Sequence, residues 1–187
     1  VYASPAYGYG QVALAYGCAD AGKRARVFVA KRSRLHPRTE EAQRAGARII
    51  EVPYGYMSVL RKAAAQYCAV SGAKLLPFGF DFPEFIEAIA GIAWSLPVSP
   101  GEVWCAAGSG ATARGLKLAW PNAKFQVVQV GAVPDVPGAT VHKAPERFEQ
   151  DARVKPPFPS CSNYDAKAWQ FVRLFARPGA LFWNVAA

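Results

Sequence analysis

Short apolar runs alternate with amphipathic stretches along most of the chain, and this alternation limits the fold more than any other feature. Arg26–Ala30, Arg48–Val52, Glu102–Ala107 and Lys124–Val130 read as buried strands, and Lys74–Phe78 as a weaker one. Between them lie segments with helical spacing. Gly8–Ala21 carries Val12, Ala15, Tyr16 and Ala19 on one stripe and stops at Gly22. Arg38–Ala45 is polar and closed by Gly46, and Ser58–Val70 is followed by Gly72. Phe82–Ser95 has Pro83 in its first turn, where a missing N–H costs nothing. Ala111–Ala119 follows the Glu102–Ala107 run. Strand and helix units of this size predict an α/β fold: three αβα layers around a mainly parallel sheet.

The last third changes texture. Residues 131–162 are rich in proline (Pro134, Pro137, Pro145, Pro156, Pro157 and Pro159) and predict one strand, Ala139–His142, and a short helix near Glu146–Asp151. A helix over Tyr164–Ala176 and a strand over Leu181–Val185 close the chain. With no internal repeat and no linker composition, the expectation is one α/β domain over residues 1–187, with the proline-rich stretch as an excursion.

A hydrophobic fraction of 52% against 19% charged residues supports a packed core and excludes a disordered chain. No uncharged apolar run is long enough for a membrane span. The opening residues lack the layout of a secretory signal and an initiator Met, which fits a boundary inside a longer protein. Cys18, Cys68, Cys105 and Cys161 are far apart, with no CxxC pair and no nearby His, so no metal site is expected. The first three lie in apolar runs and read as small buried residues, in keeping with a reducing, cytoplasmic setting. The net charge of +9 favours an anionic partner such as a phosphate compound. Apart from Lys23–Arg26 and Lys31–Arg34 the basic residues are scattered, with no aromatic-interleaved stripe, so nucleic acid is the less favoured partner.

The sharpest chemical signal is Gly108-Ser109-Gly110-Ala111-Thr112, a glycine-rich turn from a buried strand into a helix. Such a turn presents unpaired amides beside the positive end of the helix dipole, and Ser109 and Thr112 can add hydroxyl donors to a phosphate. The competing reading is an ordinary tight turn. The pattern is neither a Walker loop nor a dinucleotide fingerprint, because no GK[ST] follows and the spacing is GxGxxxxG. Ser4-Pro5-Ala6-Tyr7-Gly8-Tyr9-Gly10-Gln11 is a second such turn, whose Ser4, Tyr7 and Gly8 can face a ligand, although the tyrosines fit packing equally well. Asn163 and Asp165 fit a helix cap better than catalysis. His36 and His142 lie near no evident nucleophile, which argues against a catalytic triad.

Together these motifs resemble the fold type II pyridoxal-phosphate enzymes, the tryptophan-synthase-β-like superfamily. Gly108–Thr112, reading GSGAT, resembles the loop that holds the cofactor phosphate there. Ser4–Ala15 resembles the substrate-carboxylate loop, with Tyr7 where Asn is expected. Asn163-Tyr164-Asp165-Ala166-Lys167-Ala168, followed by Leu181–Asn184, is similar to the closing helix and strand of the aminocyclopropane-carboxylate deaminase and D-cysteine desulfhydrase branch. The resemblance implies a reduced fold type II architecture, bound pyridoxal phosphate, and lyase or deaminase activity on a small amino acid. It also implies a homodimer, and Asn184 on the pyridine side of the cofactor. The family's Schiff-base lysine precedes the Ser-rich loop, so it is expected upstream of Val1 or from a second chain; Lys167 matches a closing-helix lysine instead. Two alternatives stay open. One is a member that has lost this chemistry and holds another phosphate ligand or nucleotide. The other is a basic module that binds or modifies nucleic acid.

Overall fold

The computed structural model describes residues 1–53 and 55–185. Where the sequence predicts one domain, the contacts group into two compact units, Val1–Phe78 and Gly79–Ala187, each with its own parallel sheet.

The first unit runs β1 (Tyr2–Ala3), α1 (Gly10–Asp20), β2 (Arg26–Ala30), α2 (Pro37–Arg44), β3 (Arg48–Val52) and α3 (Met57–Ser71). The strands lie in the order β1-β2-β3, with Val27 opposite both Tyr2 and Ile49. Val27, Phe28 and Val29 are buried, because helices cover both faces of a parallel sheet. Phe28 and Val52 pack on Leu60 and Ala64 of α3. Lys74–Leu76 runs beside Val1, with Val1 N–H donating to Lys74 O and Leu76 N–H to Val1 O. The predicted strand does not form, since the neighbouring β1 is only two residues long.

The second unit contains α4 (Pro83–Ser95), β4 (Glu102–Ala107), α5 (Ala111–Ala119), β5 (Lys124–Gln129), β6 (Thr140–Lys143), α6 (Ala166–Phe175) and β7 (Leu181–Trp183). Its strands are parallel in the order β6-β5-β4-β7. All of β4 is buried, and its alternation sorts the core. Val103, Cys105 and Ala107 pack with Ala90 and Ala93 of α4 and Ala113 and Leu116 of α5. Trp104 and Ala106 face Ala168, Phe171 and Val172 of α6. Helices therefore cover both faces, which gives the three αβα layers the sequence predicts. Gly115 makes the close approach of α5 to α4, because a Cβ there would lie 2.7 Å from Ile86 O.

The proline-rich stretch supplies β6, as expected, but Glu146–Asp151 forms turns instead of a helix. Side chains claim the backbone there. Lys167 Nζ donates to the carbonyls of Arg147 and Phe148, and the Glu146 carboxylate accepts from Arg153 N–H. Cys105 is fully buried as predicted, whereas Cys18 and Cys68 are only half-buried, on helices at the unit's surface.

Candidate functional site

Ligands of parallel α/β sheets bind beyond the carboxyl ends of the strands. In the second unit that edge holds the Gly108–Thr112 turn, which leads straight from β4 into α5. Gly110 caps the helix at φ +92°, a conformation that favours glycine, and brings no side chain of its own to the first-turn amides. A Cβ on Gly110 would lie 2.8 Å from both Asp135 O and Val136 Cγ2, so the 131–138 segment backs the turn tightly. Asp135 N–H donates to Ser109 O at 3.2 Å, and Arg114 donates to Asp135 O at 2.8 Å. Arg114 also pairs with the Asp81 carboxylate.

The predicted residues divide by what they do. The Ser109 hydroxyl turns inward, donating to Gly79 O at 3.2 Å and accepting from Ala111 N–H. Ala111 is buried and fits the packed start of α5. Thr112 is half-buried in the first turn of the helix. Asn184 lies just past β7, whose Trp183 is level with Cys105, and its side chain braces a loop: Oδ1 accepts from the Ser160 hydroxyl and Nδ2 donates to Pro159 O.

Four polar side chains beneath this edge were not marked as site residues. Gly108 N–H donates to the Tyr164 hydroxyl oxygen, and burial, with Asp165 beside it, raises the Tyr164 pKa. Burial and the same Asp165 push the Cys105 thiol up to about 12, so it is an inert thiol. Lys167 is fully buried, and its ammonium donates to Arg147 O at 2.6 Å and Phe148 O at 3.3 Å. Burial lowers its pKa, and nearby Glu146 opposes the shift. The sequence places Tyr164, Asp165 and Lys167 in the closing-helix motif, but their depth depends on how α6 packs across β4. The fourth, Cys161, is buried with its thiol on Asn163 Oδ1.

In the first unit the Ser4–Gly10 loop occupies the matching edge, between β1 and α1. Ser4 is fully buried with its hydroxyl on Pro5 O, and Gly8 N–H closes the turn onto the same carbonyl. A Cβ on Gly8 would lie 2.9 Å from Ser4 Oγ, so the turn needs glycine there. Tyr7 is half-buried, and its ring lies 4.5 Å from that of His36. Gln11, the last residue of that motif and not marked as a site residue, is fully buried and donates to the carbonyls of Pro5, Ala6 and Gly8. Its Oε1 has no hydrogen-bond partner among the described residues.

No protein-family model and no curated protein matches the chain. Solved structures do. A crystal structure of an ACC deaminase homologue superposes over 99% of this chain and 72% of that one, at 15% identity and a TM-score of 0.75. O-ureido-L-serine synthase, solved as a mutant with O-ureido-L-serine bound, matches 98% of this chain and 70% of its own, at 13% identity and a TM-score of 0.65. Threonine deaminase isoform 2 from Solanum lycopersicum matches 69% of this chain, at 18% identity and a TM-score of 0.56. These likenesses define the architecture as that of the fold type II pyridoxal-phosphate enzymes. The chain spans 72% of the ACC deaminase homologue but only 37% of the threonine deaminase.

Proposed function

We propose that this chain is a pyridoxal-phosphate-dependent lyase or deaminase acting on a small amino acid. The observation that carries the reading is the uncapped start of α5, held open by Gly110 at the end of the most buried strand. A phosphate suits that position, because Ala111 is the only first-turn residue whose amide is seen to donate to a side chain among the described residues, and the helix dipole favours an anion. The residues fit the phosphate end of the cofactor: the backbone of Gly108–Gly110 and the Thr112 hydroxyl would hold it, while the Ser109 hydroxyl, bonded to Ala111 N–H and Gly79 O, keeps the turn in shape. Tyr164 fixes the Gly108 amide from below. Pyridoxal phosphate supplies an electron sink that weakens bonds to the substrate's α-carbon. In this reading the amides around Ser4, Tyr7 and Gly8 would receive a substrate carboxylate, and Gln11 keeps that loop in shape through three carbonyls. Lys167 is held by two carbonyls and is not the covalent tether; the reading takes that lysine from residues preceding Val1 in a longer protein, or from a second copy of a homodimer.

The engagement of both Lys167 and Asn184 favours a second reading, in which the same turn holds another phosphate compound without covalent chemistry. One titration separates the two. Adding pyridoxal phosphate at a hundredfold excess over Kd should stabilise the chain by about 2.7 kcal/mol, and Thr112→Ala should weaken the binding. Stabilisation with an absorbance band shifted from that of free pyridoxal phosphate, and cofactor fixed to the protein by borohydride, in the chain extended upstream of Val1 supports the enzyme. Stabilisation by pyridoxal phosphate or a nucleotide without such a band supports the phosphate holder. No stabilisation by any phosphate compound would reject both.

A further inference from the structure

The positive charge is concentrated in one unit. Val1–Phe78 carries 12 Lys and Arg against 4 Asp and Glu, a formal +8, while Gly79–Ala187 carries 10 against 9, leaving +1 of the chain's +9. Part of the excess sits on a loop with a defined place in the fold. Lys31, Arg32 and Arg34 follow β2 directly and are exposed at the carboxyl edge of the sheet. Lys31 N–H donates to Val52 O, which ties the start of this loop to the end of β3.

One of these cations, and a further one on α2, lie over tyrosine rings distant in sequence. The Arg32 guanidinium lies 5.7 Å from the centre of the Tyr7 ring, and the Arg38 guanidinium lies 4.4 Å from that of Tyr9. The rings of Tyr7 and His36 are 4.5 Å apart. On the β3 side, a Cβ on Gly55 would lie 3.5 Å from Ala30 Cβ at the end of β2, and Tyr56, the next residue along the chain, has 78% of its surface exposed. The acidic residues of the adjoining helix are Glu40 and Glu41 on α2.

We propose that this edge of the first unit binds single-stranded nucleic acid, with Lys31, Arg32 and Arg34 on successive phosphates and Tyr56 stacking on a base. Exposed cations alone suit any polyanion. Cations interleaved with aromatic rings suit an unpaired strand, whose bases offer faces for stacking. A solvated basic surface needs no such arrangement, and the second unit has no comparable excess of charge. The inference is independent of pyridoxal phosphate.

Fluorescence anisotropy of the full chain with a labelled oligodeoxythymidylate tests it. At low salt the oligomer binds, and the affinity falls steeply as salt is added. The triple variant Lys31→Ala/Arg32→Ala/Arg34→Ala weakens binding by tenfold or more and flattens the salt slope by about 2, given about 0.7 per phosphate contact on a single strand. Tyr56→Ala weakens it on the order of tenfold. Lys124→Ala/Lys155→Ala/Arg173→Ala removes the same charge from exposed positions of the second unit and leaves the affinity within about twofold. No binding at low salt overturns the proposal, as does equal weakening by the two triple variants. Equal or tighter binding to duplex DNA, heparin or phosphatidylserine vesicles overturns the single-strand assignment. All four altered side chains of the first unit are exposed, and circular dichroism checks that each variant keeps its fold.

Discussion

Two glycines of the turn after β4 should respond oppositely to the same added methyl group. At Gly110 the backbone lies at φ +92°, where a Cβ costs about 1–2 kcal/mol. The new Cβ would also lie 2.8 Å from Asp135 O and Val136 Cγ2, well inside van der Waals contact. That carbonyl cannot retreat freely, because Arg114 donates to it and Asp135 N–H is bonded to Ser109 O. Overpacking of this kind costs about 1–3 kcal/mol. Gly110→Ala should therefore destabilise the protein by about 2–5 kcal/mol, which lowers Tm by roughly 5–15 °C in a chain of this size. At Gly108 the φ is not positive, and the nearest atoms to a Cβ are Tyr164 Oη at 3.6 Å and Val130 O at 3.7 Å, ordinary contacts. Gly108→Ala should change stability by less than about 1 kcal/mol. Thermal unfolding followed by circular dichroism gives both values. If Gly110→Ala melts within 2 °C of the parent (about 1 kcal/mol or less), or Gly108→Ala costs as much, the backing of the turn by residues 135 and 136 is wrong.

Other substitutions test the rest of the frame. Lys167→Met removes the ammonium donor shared by Arg147 O and Phe148 O, of which Phe148 O keeps Asn163 Nδ2, and should cost about 1–3 kcal/mol, seen as a lower urea midpoint. Cys105 binds its proton more tightly folded, near 12, than unfolded, near 9, so stability should fall as pH rises from 9 to 12. Cys105→Ala should remove part of that alkaline loss, by up to about 4 kcal/mol at the upper end of the range, in unfolding measured against pH. Gln11→Glu replaces a donor to three carbonyls with an acceptor and should destabilise the first unit by about 2–4 kcal/mol, whereas Gln11→Asn shortens the reach and should cost less. Leu60→Ala empties a site that is 1% exposed and should cost about 2–5 kcal/mol, read from the same unfolding curves.

Local chemistry made much of the fold legible. β4 and α5 fall on the predicted residues because a continuous apolar run, a glycine turn and an amphipathic stretch each carry their own signal. The predicted strand over Lys74–Phe78 and helix over Glu146–Asp151 do not form, because distant partners decide them: a two-residue neighbouring strand in one case, and the Lys167 ammonium in the other. The glycine turn was visible as a motif. The inward rotation of the Ser109 hydroxyl onto Gly79 O was not, since that carbonyl lies 30 residues away.

The order of strands and helices, the parallel sheet character and the place of the Gly108–Thr112 turn were determined by the sequence alone, because periodicity and glycine act within a few residues. Tertiary structure decided the grouping of strands into two sheets, the burial of Asp165 and Lys167 at the start of α6, and the packing of Tyr7 against His36 and Arg32 and of Tyr9 against Arg38. Those outcomes depend on hydrogen bonds, desolvation and ring contacts between residues far apart in the chain. No local pattern encodes such contacts until each sheet has brought its own strand ends together.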